Sequence, residues 1–258
     1  MAKHLENFKR FKPLLYELVS RDVKIKYRKS VLGILWTILN PLLMMTILAF
    51  VFSNLFRFNV ENYPLYILSG QTIFNFFSEA TSNSMTAILG NGPLIKKVYI
   101  PKYLFVLSKI SSSIINFLST FCALILVMLF TRVELRFTMF LMVVPLFFLI
   151  VLSVGVGLIL ASLTVKFRDI IHLWGVFMTA LVYLMPVIYT MSFLPRKVYM
   201  IVMANPLTNI LIMFRNVVLY DTLPSGMSIL IAALEAFGFL ALGLRVFYKQ
   251  QDSFILNL

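Results

Sequence analysis

The chain is short of the residues that most catalytic chemistry needs. Its 258 residues include one cysteine, Cys122, and two histidines, His4 and His172. One thiol excludes an intrachain disulfide. It falls inside an apolar run, where cysteine is expected to act as a small buried hydrophobe. The histidines lie far apart and show no metal-ligand spacing. There is no G-x-x-x-x-G-K-[ST] phosphate loop, no G-x-S-x-G elbow, no H-E-x-x-H and no paired-cysteine motif. Charge is scarce too, at 13% of residues, against about 25% in a soluble domain. These absences argue against a soluble enzyme and leave no catalytic or metal site in view. Nor is an internal repeat visible, although many secondary transporters have one.

What the chain has in plenty is apolar length. Hydrophobic residues make up 60% of it and the mean hydropathy is +0.93. A membrane-crossing helix needs about 20 mostly apolar residues. Runs at 31–56, 103–130, 137–165, 172–189 and 228–247 meet that need, and a more polar run at 65–88 makes a sixth. The expectation is an all-α integral membrane protein, one domain over 1–258, with six spans and both termini on one side. No cleavable signal is expected, because the first apolar run starts at Val31 and is far longer than a signal core.

Lysine and arginine give the orientation. Segment 1–30 carries nine, loop 89–102 adds Lys96, Lys97 and Lys102, loop 166–171 adds Lys166 and Arg168, and the tail adds Arg245 and Lys249. The opposite side has Arg57, Arg132, Arg136, Arg196, Lys197 and Arg215. By the positive-inside rule the crowded side is cytoplasmic. The net charge of +13 is then an orientation signal that also attracts anionic lipid heads, and no nucleic-acid partner is expected.

Residues 14–29 read as an amphipathic interface helix. Leu15, Val19, Val23 and Tyr27 recur every four residues, flanked by Leu18 and Ile25, with Arg21, Lys24 and Arg28 opposite and Pro13 suited to the first turn. The first span holds Asn40-Pro41, where a kink is expected, and Trp36 near its cytoplasmic end. The second span mixes Ser69, Gln71, Thr72, Asn75, Ser78, Glu79 and Asn83 with Tyr66, Phe74, Phe76 and Phe77. Such polar groups either bond neighbouring helices or line a wet pathway. Interleaved aromatic and polar groups suit a sugar, so these four aromatics are candidate pathway residues. Glu79 and Glu235 are the two acids within predicted spans, read as proton sites or as interhelical hydrogen-bonding groups.

The loop 89–102 contains a short amphipathic piece, Leu94 to Tyr99, with Gly92-Pro93 before it and Pro101 after it. A helix this short cannot hold itself together in water, since isolated helices below about 12 residues are marginal. It has to dock, and the chain offers no cytoplasmic domain to receive it. Leu94, Ile95, Lys96, Lys97, Val98 and Tyr99 are therefore candidate contacts to a second protein. Arg168 and Asp169 offer a second contact, a local ion pair or a cap on the fifth span. The apolar pieces within 195–220 are too short to span and read as re-entrant, a lid marked by Pro195, Asn205, Pro206 and Arg215.

Four stretches, in order, resemble one family. They are RDVKIKYRKSVLGILWTILNPLL at 21–43, NGPLIKKVYIP at 91–101, FRDI at 167–170, and PVIYTMSFLP at 186–195 followed by NPLT at 205–208 and Arg215. They look like the permease subunits of ABC exporters for lipid-linked polysaccharides: O-antigen, capsule and teichoic acid. Met185-Pro186 departs from the serine-proline expected there. The resemblance implies a homodimer bound to two ATPase subunits that carry the ATP and magnesium sites, with no cofactor in this chain. It makes 93–100 a coupling helix and 195–220 outer gate helices. The implied activity is export of an undecaprenyl-diphosphate-linked glycan across the bacterial inner membrane, both termini cytoplasmic. Arg28 and Lys29 are candidates for receiving the diphosphate. ABC export of a small hydrophobic compound or drug is the neighbouring alternative, ahead of an ion-coupled carrier or a membrane glycosyltransferase.

Overall fold

The computed structural model describes residues 2–28, 32–33, 35–56, 60, 62–133 and 136–258. Every regular element among them is helical. In chain order these are α1 (Ala2–Tyr27), α2 (Leu35–Phe56), α3 (Tyr63–Met85), α4 (Gly92–Lys97), α5 (Tyr103–Phe130), α6 (Val143–Lys166), α7 (Ile170–Leu184), α8 (Arg196–Met203), α9 (Pro206–Val218), α10 (Gly226–Gln250) and α11 (Phe254–Asn257).

The protein is a multi-pass membrane protein. Among the described residues four stretches are long and apolar enough to cross a bilayer: Leu35–Ser53, Tyr103–Phe130, Phe137–Lys166 and Gly226–Leu256. Helices α8 and α9 meet the same test only as a pair bent by 89°. Helix α3 is long enough at 23 residues, but its polar side chains lower its hydropathy. Helix α7 has only 15 residues, about 22 Å at 1.5 Å per residue. The six-span expectation therefore rests on sequence for these two.

Helix α3 sits at the centre, packed by α2, α5, α6 and α9. This explains how it carries so many polar groups: few of them meet lipid. Helices α6 and α10 approach most closely at two glycines. A Cβ built on Gly243 would lie 2.3 Å from the Gly155 carbonyl oxygen, and one on Gly155 would lie 2.5 Å from the Leu240 nitrogen. With no hydrophobic drive between helices in lipid, such close backbone packing is a main source of association.

Two expectations for α1 change. The helix begins well before Pro13, which lies inside it and not in a first turn. Of the two residues predicted to flank its apolar stripe, one is buried and the other is not. Leu18 is the buried residue, Phe11 and Leu14 pack beside it, and Ile25 is exposed. The start of the first predicted span, Val31, together with Lys29 and Arg57, lies outside the described residues. Cys122 is exposed on α5, on a helix surface shared with Leu118 and Ile125, so it is not the buried hydrophobe that was expected.

Candidate functional site: a coupling face and a polar cleft

One end of the bundle gathers α4, the 167–169 turn, the C-terminal end of α1, and α11. Helix α4 has Pro93 in its first turn, where the missing N–H is no loss. Its six residues are held by neighbours. The Asn91 amide donates to the Ala87 carbonyl at 2.8 Å and its Oδ1 accepts from Arg21 Nη2 at 3.1 Å. Leu258 packs so close to Gly92 that a Cβ there would meet it at 3.3 Å. Lys102 Nζ donates to the Gln251 carbonyl and lies 5.7 Å from the Phe254 ring.

Within this loop the candidate contact residues divide. Ile95 is 6% exposed and Leu94 packs against the core, whereas Lys96 and Lys97 face outward, Val98 is half-exposed and Tyr99 is 92% exposed. Ile95 therefore belongs to the fold, because a short helix needs an inward anchor. The free surface is 96–99. Arg168 joins it: Lys96, Pro93 and Arg168 line one groove of about 540 Å³. Asp169 precedes α7 without a side-chain cap; its backbone carbonyl accepts from His172 and Leu173. Arg28 is exposed beyond the end of α1.

Inward from this face lies a cleft. Asp22 on α1 pairs with Arg21 at 3.1 Å and with Lys109 of α5 at 2.9 Å. Lys26 on α1 pairs with Glu79 of α3 at 2.8 Å, and Glu79 also accepts from the Asn116 amide of α5. These groups line a cavity of about 730 Å³ together with Asn83 and Asn91. Lys26, Glu79 and Asn116 also line a second cavity of about 530 Å³, between α2, α3 and α5, with Trp36, Gln71 and Asn75. The two spaces meet at one ion-paired triad. Glu79 is thus an interhelical hydrogen-bonding acid.

Gln71, Asn75, Glu79 and Asn83 follow at four-residue steps and form one polar stripe along α3. The aromatics do not join them. Tyr66, Phe76 and Phe77 are buried in the core and Phe74 is half-buried against it. Phe76 meets Phe117 edge-on at 5.1 Å, and Phe77 tilts against Trp174 at 6.3 Å. Along α3 the helical period turns Tyr66 and Phe77 away from the stripe and leaves Phe74 and Phe76 at its flanks. These aromatics are packing groups, and the polar stripe faces open space.

The far end is built differently. Arg215 of α9, counted from sequence as an outer-face cation, is 4% exposed. Its Nε donates to Ser69 Oγ at 3.1 Å, Nη1 to the Pro186 carbonyl at 2.6 Å, and Nη2 to the Tyr66 and Val187 carbonyls at 2.9 and 3.1 Å. Its guanidinium lies 3.4 Å from the centre of the Tyr66 ring. The Tyr63 hydroxyl donates to the Ile188 carbonyl and the Tyr66 hydroxyl to the Tyr189 carbonyl, each at 2.8 Å. The carbonyls of 186 through 189 are therefore all satisfied, which irregular backbone at membrane depth requires. Gly70 leaves room for this, since a Cβ there would lie 2.9 Å from Arg215 Nη2. Ser69 was among the polar groups read as interhelical bonding or pathway residues, whereas nothing in the sequence pointed to Tyr63 or Gly70. Asn205 caps α9 by accepting from the Leu207 N–H at 3.1 Å, and Pro206 follows in the first turn. Pro195 precedes α8.

Residues 13–219 match the family profile described as ABC-2 type transporter. The chain is 28% identical over 212 residues to an O-antigen export system permease protein RfbA of Klebsiella pneumoniae, covering 81% of this chain and 82% of that one. It is 27% identical over 259 residues to the RfbA permease of Myxococcus xanthus, covering 98% of both. To the polysialic acid transport protein KpsM of Escherichia coli it is 22% identical over 241 residues, covering 92% of this chain and 93% of the relative.

Proposed function

The chain belongs to the ABC-2 type transporter family, and from that premise we propose that it is the membrane-spanning subunit of an ATP-driven polysaccharide exporter. The relatives named for O-antigen and polysialic acid transport favour this cargo over a small hydrophobic compound. The cargo class is a lipid-linked glycan. The chain works as a homodimer with two ABC ATPase subunits, which hold the ATP and magnesium. The basic end faces the cytoplasm, because a strong lysine and arginine bias marks the inner side.

One observation carries the mechanism: a six-residue helix is fastened to α1 and α11 while Tyr99 stands almost wholly exposed beside it. The exposed 96–99 edge, with Arg168 beside Lys96, is the seat for the ATPase. A push there passes through Asn91 and Arg21 to α1, and through the Asp22–Lys109 and Lys26–Glu79 pairs to α5 and α3. Rigid helices then shift about the seam between two copies. The polar stripe Gln71, Asn75 and Glu79 offers hydroxyl-matching groups to a passing sugar. Arg28 and Lys29 meet the diphosphate at the cytoplasmic mouth. Weak, repeated contacts suit such cargo, because one tight site would hold the chain in place.

The test is reconstitution with the partner ATPase. The account expects a complex of two permeases and two ATPases that moves lipid-linked glycan only with ATP. Transport by the permease alone would sink it.

A further inference from the structure

At the far end a polar cavity and an apolar groove run into each other. The cavity, about 530 Å³, lies between the turn after α5 and the turn after α9 and is lined by Asn62, Arg132, Arg136, Tyr220 and Asp221. The groove, about 360 Å³, is lined by Phe121, Leu124, Met128, Phe137 and Phe140. Arg136, Met139 and Val218 line both. The result is a single depression, charged at one end and apolar along the other.

The backbone fixes the charged end. The Val133 N–H donates to the Met128 carbonyl at 3.0 Å and the Arg132 N–H to Leu129 at 3.3 Å, a Schellman turn that closes α5. Glycine is usual at its left-handed position, yet Arg132 occupies it with φ 54°. The cap therefore does not account for the side chain. Asp221 is left-handed too, with φ 51°. Its carboxylate pairs with Arg136 at 3.2 Å and accepts from the Thr138 hydroxyl, tying the two turns together. The Arg132 guanidinium meets no acceptor among the described residues. Among the described residues that line the cavity, two arginines stand against one aspartate.

We infer that this depression holds one phospholipid bearing a single negative charge, from the leaflet at the far end. Its phosphodiester meets Arg132, and its acyl chains lie along Phe121, Phe137 and Phe140. A zwitterionic lipid has no net charge to match. A free phosphate leaves the groove empty. The inference does not depend on what the protein transports.

Native mass spectrometry of the detergent-purified full chain tests it, with dioleoyl-phosphatidylglycerol, dioleoyl-phosphatidylcholine, dihexanoyl-phosphatidylglycerol and an isoprenyl monophosphate as probes. One charge-assisted contact predicts about tenfold preference for the long-chain glycerol lipid over the choline lipid. Arg132→Gly abolishes that preference without lowering the thermal midpoint, because glycine suits the left-handed turn. Arg132→Gln gives the same loss with side-chain volume kept. The short-chain lipid binds at least about tenfold more weakly, since the groove stays unfilled. Equal binding of glycerol and choline lipids overturns the site, as does an unchanged preference in both variants. Displacement of the phospholipid by an equimolar isoprenyl phosphate overturns the choice of ligand.

Discussion

The two ends of this molecule bury their polar groups in opposite ways. At the far end one arginine, 4% exposed, gives its donors to backbone carbonyls and a serine hydroxyl, with no acid among them. At the basic end α1 is held by pairs of full charges, and Glu79 and Lys26 stay partly open to water, their side chains 31% and 46% exposed. Neutral acceptors around a buried cation make a fixture, because removing any member strands the rest. Exposed ion pairs are individually weak and can exchange partners. The two ends are thus distinguished by their chemistry, and under the proposed coupling role the basic end is the one that moves.

The largest expected effect comes from breaking the fixture. Arg215→Met strands the carbonyls of Pro186 and Val187 in the bundle and should cost about 3–5 kcal/mol, the scale for disrupting a buried charged network. The measurement is the thermal midpoint of the detergent-purified protein. Arg215→Lys should recover little, since one ammonium cannot reach acceptors spread over α3 and the 186–187 backbone. Close behind stands Gly243→Leu at the α6–α10 contact. Overpacking costs about 1–3 kcal/mol in a core that can adjust. Here the obstacle is the backbone of Gly155, so the upper end or beyond is expected, read as loss of monodisperse protein on gel filtration.

The next prediction separates fold from docking within one loop. Ile95→Asp should reduce folded yield, because its side chain is buried. Tyr99→Ala should leave yield and thermal midpoint unchanged and abolish ATP-dependent transport. If the two variants behave alike, the division of α4 into an inner and an outer edge is wrong. The smallest stability effect belongs to the basic end. Glu79→Gln should lower stability by less than about 1 kcal/mol, as for exposed ion pairs. It should nonetheless loosen coupling, seen as ATP hydrolysis that continues while glycan transport falls. Raising salt from low to physiological strength should shrink the gap between variant and parent, because partly exposed pairs are screened.

Much of this comparison was legible in the residues alone. The apolar runs mark the helices, and the Gly-Pro-bounded loop marks the short helix α4. Hydropathy reports burial in something apolar, but cannot say whether that is lipid or protein. That is why α3 reads as ambiguous and Cys122 reads as buried. Spacing in the sequence failed at α3 for a related reason: the aromatics interleaved with Gln71 and Asn75 pack into the core, while the Asn75 side of the helix borders a cavity. The Arg215 fixture was hidden because its acceptors are backbone carbonyls, which leave no trace in residue identity. The ion-paired cleft joins Lys26, Glu79 and Asn116 across three helices, and only the packing brings them together.

Cross-linking tests the central claim most directly, namely that motion enters through the exposed edge beside α4. Cys122 is the single cysteine, so Cys122→Ala gives a thiol-free background for Tyr99→Cys and, at the far end, Phe137→Cys. A short thiol-to-amine cross-linker should join the Tyr99→Cys permease to its ATPase and leave the Phe137→Cys permease unjoined. An ATPase complex that hydrolyses ATP and transports glycan without any cross-link at position 99 would contradict the account.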